Sequence, residues 1–186
     1  MNPIVIFARI LFAPLILKWP LFGGILAVFL DNIDWYTKNL FGISSVGEYQ
    51  IIDKMLDTLY LSFLFIITLR FKNKIVRNIL IFLFFYRLIG AILFVATQAQ
   101  ILLFIFPNIF EIFFFFYYIL QKIAEREPKI PLALLGLFLA LVSFSGIIQE
   151  YTIHISHKNL PTEIQVIYIA GLAGLSGFLF RKEVRN

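Results

Sequence analysis

The stretch Ile75–Ala96 reads IVRNILIFLFFYRLIGAILFVA. Apart from Arg77, Asn78 and Arg87 it is apolar or aromatic, and no proline interrupts it. A helix rises about 1.5 Å per residue, so a run of this length crosses the ~30 Å hydrocarbon core of a bilayer. In lipid the backbone must satisfy its own hydrogen bonds, which a single segment can do only as a helix. One spanning helix is therefore expected at Ile75–Ala96, with Arg87 well inside it.

Comparable runs extend to both sides. Towards the C-terminus the polar turn Thr97–Gln100 leads into Ile101–Leu120, with a kink expected at Pro107. The charged stretch Glu125–Lys129 precedes Pro131–Ile148, and His157–Pro161 precedes Ile164–Phe180. Towards the N-terminus, Arg70, Lys72, Asn73 and Lys74 close the segment Ile51–Leu69, and before it lies Leu21–Tyr36. Pro3–Leu17 is shorter and contains Arg9, so it reads either as a further span or as an amphipathic helix in the interface. The expected fold is an all-α, polytopic transmembrane helix bundle of six or seven membrane segments, forming a single transmembrane domain over residues 1–186.

Composition supports this class. The chain is 61% hydrophobic and 15% charged, with mean hydropathy +0.91, whereas soluble domains are roughly 45–50% apolar and about 25% charged. With no cysteine, disulfides, thiolate metal sites and cysteine nucleophiles are excluded. The net charge of +5 comes from scattered loop lysines and arginines rather than a basic run, so nucleic acid is not an expected partner. Residues 1–20 lack a basic start and a small-residue cleavage site, which does not read as a cleavable signal peptide.

Ionisable residues are costly at membrane depth, so their positions carry the functional signal. Asp31 and Asp34 are spaced i, i+3 near the end of one expected helix, and Asp53 and Asp57 are spaced i, i+4 near the start of the next. Each spacing puts its pair on one helical face. A short connection makes the two helices antiparallel neighbours, so the pairs can converge. Converging carboxylates repel unless a cation neutralises them or some are protonated, and an oxygen-only donor set suits Mg²⁺, Mn²⁺ or Ca²⁺. The bland alternative is four acidic residues at solvated helix ends.

At these residues the sequence resembles the CDP-alcohol phosphatidyltransferase family, which carries Asp-x2-Asp-Gly-x2-Ala-Arg at the end of one membrane helix and Gly-x3-Asp-x3-Asp at the start of the next. Asp31-x2-Asp34 and Asp53-x3-Asp57 match the four aspartates. Asn2-Pro3, Arg9 and Pro14 resemble the family's opening, so the likeness covers roughly Asn2–Tyr60. Trp35 stands where the family has glycine, Lys38-Asn39 where it has Ala-Arg, and Tyr49 where it has the second glycine, with Gly47 close by. The resemblance implies two divalent ions, Mg²⁺ or Mn²⁺, held by Asp31, Asp34, Asp53 and Asp57. It also implies Asp57 as general base and a CDP-linked lipid and a small alcohol as substrates. Lys38 and Gly47 would be substrate contacts, and a homodimer is the implied assembly. The expected location is a cytoplasmic membrane of bacterial or archaeal type.

Other polar residues leave alternatives open. Arg87 either reaches a substrate phosphate or pairs with Glu111 across the bundle. Glu150, His154 and His157 share one helical face and could bind a metal, or simply end a helix. Gly171, Gly174 and Gly177 form a packing stripe. The topology puts Lys38, Lys54 and Lys158 on the aspartate side and, if the first segment is interfacial so that Arg9 counts there, twelve basic residues opposite. That asymmetry would turn the aspartates away from the cytoplasm, whereas CDP-linked substrates place them inside. A divalent-cation transporter or a non-enzymatic membrane partner are the competing functions.

Overall fold

A computed structural model describes residues 3–41, 46–124 and 131–150, together with Ala170, Gly174 and Arg181. Side chains at 34–49, 124, 132, 142 and 145–150 lie outside this description. Among the described residues every regular element is a helix: α1 (Pro3–Phe12), a 3₁₀ segment (Ala13–Leu17), α2 (Pro20–Phe41), α3 (Val46–Thr68), α4 (Lys74–Thr97), α5 (Ile101–Ile105), α6 (Ile109–Ala124) and α7 (Leu132–Glu150). The chain divides into two compact units, one of Met1–Ile67 with Leu160–Asn186 and the other of Thr68–Asn159.

In the first unit, prolines set the helix boundaries. Pro3 and Pro20 each occupy a first helical position, where a missing N–H costs nothing. Pro14 has no N–H for the carbonyl one turn back, and the chain tightens into the 3₁₀ segment around it. Trp19 then donates to the Leu15 carbonyl at 2.8 Å, and Gly23 to the Trp19 carbonyl at 2.7 Å, which leads the chain into α2. α2 packs on α1 and on the 3₁₀ segment. The approach is close: a Cβ on Gly23 would stand 2.6 Å from the Ile16 backbone nitrogen.

α1 is reversed relative to a soluble amphipathic helix. Val5 and Arg9 are its buried residues, and the same face continues through Ala13 and Ile16. Ile4, Phe7, Ile10 and Leu11 point outward. α3 buries Asp53, Leu56, Asp57, Tyr60, Leu61 and Leu64 and exposes Ile52, Met55 and Ile66. Its hydroxyls turn back on their own helix, Thr58 donating to the Lys54 carbonyl at 2.8 Å and Ser62 to the Thr58 carbonyl at 2.7 Å. No polar side chain at these positions then asks for water.

The second unit has an aromatic core. α4 starts at an Asn73 cap, whose side-chain oxygen accepts from the Ile75 and Val76 amides at 3.1 and 3.3 Å. It ends at Gln98, which takes a left-handed conformation (φ 56°) in the expected turn. Phe71 stacks on Phe114 at 5.8 Å and leans on Tyr117 at 5.1 Å. Phe84 meets Phe110 edge-on at 5.5 Å, and Phe116 stacks on Phe138 of α7. Phe110, Phe113, Phe114 and Tyr117 are fully buried. Within the phenylalanine run 113–116, Phe113 and Phe114 are thus core, while Phe115 and Phe116 are half-buried.

Pro107 breaks the expected Ile101–Leu120 segment outright, splitting it into α5 and α6. The carbonyls opened by the break are taken up by α4: Tyr86 donates its hydroxyl to the Ile105 carbonyl, and Arg87 donates to the Phe106 carbonyl at 2.6 Å. Beyond the break, Glu111 accepts from Asn108 at 2.5 Å. Lys74–Thr97 and Ile101–Ile123, the latter counted across the break, are long and apolar enough to cross a membrane. α2 and α3 run past their expected ends at Tyr36 and Ile51, reaching Phe41 and starting at Val46. Ile164–Phe180 lies almost wholly outside the described residues.

Candidate metal and phosphate site

Three helices of the first unit bring their charged side chains together. α1 supplies Arg9, α2 supplies Asp31, and α3 supplies Asp53, Lys54 and Asp57. The Arg9 guanidinium stands at the centre. Its Nη1 lies 3.0 Å from Oδ1 of Asp31 and 3.0 Å from Oδ1 of Asp53. Its Nη2 lies 2.7 Å from Oδ1 of Asp57. On the other side, Lys54 Nζ lies 2.9 Å from Oδ2 of Asp53 and 3.1 Å from Oδ2 of Asp57. Five of the six carboxylate oxygens of these aspartates therefore face a cationic nitrogen.

Burial makes this arrangement consequential. The Arg9 side chain is only 4% exposed, those of Asp53 and Asp57 12% and 11%, and that of Asp31 37%. Charges removed from water must be paired and hydrogen-bonded, or the cost is several kcal/mol per ion. With all five groups ionised the cluster carries one net negative charge. The repulsion that the sequence leads one to expect among the aspartates is thus relieved within the protein. Arg9 and Lys54 do this.

The donor chemistry still fits a divalent ion. Asp31, Asp53 and Asp57 each offer an oxygen, and these oxygens lie within 4.8 Å of one another. Hard cations take oxygen ligands at about 2.0–2.6 Å, which puts ligands on opposite sides of one ion ~4–5 Å apart. Of the remaining expected site residues, Asp34 and Lys38 lie on α2 and Gly47 on α3, with their surroundings outside the described residues. Arg87 belongs to the second unit, at the break. Glu150 ends α7 with its side chain outside the description, and His154 and His157 are outside it altogether.

Arg9 and Lys54 are the members of this cluster that reading the sequence did not place there. Arg9 was available as a signal: a lone arginine inside an apolar helix needs an anion, and none lies near it in sequence. The structure also corrects the charge count, because Arg9 lies against the aspartates and not on the opposite face. Against protein-family models, curated proteins and solved structures, the chain shows no match.

Proposed function

We propose that the chain is a membrane-embedded, divalent-metal-dependent transferase that moves a phosphatidyl or related phospho-alcohol group from a CDP-linked donor to an alcohol, releasing CMP. The observation that carries this reading is the convergence of Asp31 with Asp53 and Asp57 from two helices; the spacing within each aspartate pair is that of the CDP-alcohol phosphatidyltransferase pattern, with one residue more between the pairs. The outward apolar faces of α1 and α3 suit a bilayer, with the charges turned in. The site would face the cytoplasm, where CDP-linked donors are found.

Asp31, Asp53 and Asp57, with Asp34 on the same helix as Asp31, would hold two divalent ions, Mg²⁺ or Mn²⁺. Bound ions would neutralise the donor's diphosphate and stabilise the charge that develops as CMP leaves. In the transfer, the acceptor hydroxyl oxygen bonds to the lipid-side phosphorus and the bond from that phosphorus to the CMP oxygen breaks. The hydroxyl proton passes to a carboxylate oxygen of Asp57. Both Asp57 oxygens already accept from cations, so receiving that proton requires one of those contacts to open. Lys38 and Gly47 would contact the donor, Lys38 as a point charge. Arg87, which donates to the Phe106 carbonyl, would be a substrate contact only if it also reached a phosphate.

The test is Mn²⁺ binding and CMP release by the purified protein in detergent, with CDP-diacylglycerol and a panel of alcohols, for the wild type, Asp31→Asn and Asp57→Asn. Metal binding that the donor tightens, CMP release, and loss of both in the variants sustain the reading. Absence of metal binding with and without donor sinks it.

A second reading rests on Arg9 and Lys54. A carboxylate cluster neutralised from within can tie three helices together without any ion, as in a non-enzymatic membrane protein. It predicts that the wild type binds no Mn²⁺ and that Asp57→Asn lowers stability alone.

A further inference from the structure

We propose that Arg9 is a donor-binding residue, whose guanidinium passes from the carboxylates to the diphosphate of the nucleotide-linked donor when divalent cations occupy the site. This rests on the function proposed above and assigns that site a residue outside the four-aspartate pattern.

The two terminal nitrogens of Arg9 are spent on Oδ1 atoms of Asp31, Asp53 and Asp57, the three carboxylates whose oxygens lie close enough together to hold a metal. A cation on these carboxylates competes with the guanidinium for their negative charge. Arginine cannot relieve the conflict by losing its proton. Nor can it be left alone, because a buried guanidinium without an anion is strongly unfavourable.

Charge balance names the anion. The five described groups sum to one negative charge when ionised; with the Asp34 carboxylate and the two divalent ions of the proposed site the sum becomes +2. An incoming dianion restores balance, and a diphosphate diester is one. The guanidinium's planar fork matches phosphate oxygens in the way it matches carboxylates. Its departure also opens Oδ1 of Asp57, the contact whose loss lets Asp57 take the acceptor's proton. A single movement would thus fill the anion site and free the base. Lys54, which contacts the Oδ2 atoms of Asp53 and Asp57, can stay in place.

The experiment measures Mn²⁺ affinity by electron paramagnetic resonance, and CDP-diacylglycerol affinity at saturating Mn²⁺, for full-length wild type, Arg9→Gln and Arg9→Lys in detergent. Without donor, Arg9→Gln is expected to bind Mn²⁺ more tightly than wild type, because the competitor is gone. With saturating Mn²⁺, its donor affinity is expected to fall ~10- to 100-fold, the loss of a charge-assisted hydrogen-bond pair. Arg9→Lys keeps the charge but not the fork. It should leave Mn²⁺ affinity near wild type while lowering donor affinity, and it decides the matter if Arg9→Gln does not fold. Donor affinity unchanged in the folded variant overturns the inference and leaves the transferase reading standing. Wild type that binds no Mn²⁺ with or without donor overturns both.

Discussion

Among the described residues each of the two units buries one arginine, and the two make different contacts. Arg87, in the aromatic unit, donates to a backbone carbonyl that the break at Pro107 leaves open. Arg9, in the first unit, meets three carboxylates from two other helices. The first arrangement repairs a local defect in a helix. The second gathers charge where no backbone need calls for it, which is how a site differs from a joint.

The comparison is most exposed to failure at Arg9. Replacing it with Gln takes a cation from three carboxylates and leaves Asp53 and Asp57 to share Lys54, and without metal the loss of stability is expected to be ~3–5 kcal/mol. Denaturant titration in detergent measures this, and added Mn²⁺ should recover part of it. Arg87→Gln leaves a carbonyl short of a strong donor and should cost about 1–3 kcal/mol, with no recovery by Mn²⁺. If both variants lost the same stability and neither responded to metal, the contrast between the two arginines would collapse.

Two smaller changes test the frames that hold them. Gly23→Ala pushes a methyl group against the Ile16 backbone, which cannot move aside as a side-chain tip would. A cost of roughly 1–3 kcal/mol is expected, together with weakened donor binding at saturating Mn²⁺, because the packing of α1 on α2 positions Arg9. Asn73→Ala removes the cap of α4 and should cost about 1 kcal/mol, leaving metal and donor binding untouched.

Much of the helical layout was legible in the sequence, because long apolar runs bounded by charge and proline have few alternatives. Observed α4 departs from the expected Ile75–Ala96 by one residue at each end. Periodicity also placed Asp53 and Asp57 on one face, and both are buried together. Less was legible where tertiary contacts decide. Pro107 signalled a bend, but whether the chain bends or breaks depends on donors from another helix, and Tyr86 and Arg87 supply them. Arg9 was visible as an interruption of a short apolar run and as part of the opening Asn2-Pro3, Arg9 and Pro14, neither of which names its partners. Two of these lie 44 and 48 residues away on α3, a separation no local pattern encodes. Lys54 stands between Asp53 and Asp57, but spacing alone does not say whether its amine turns to them or to solvent.

That long separation also bears on how the chain is made. In a membrane-inserted chain, Arg9 leaves the ribosome before the helix that neutralises it exists. At roughly 5–20 residues per second, Asp57 follows about 2–10 s later. Over that interval the first segment has at most Asp31 of its three carboxylates, which disfavours its settling in lipid alone. The N-terminal segment would then wait at the interface or in the insertion machinery and enter together with α3, closing its ion pairs as it does.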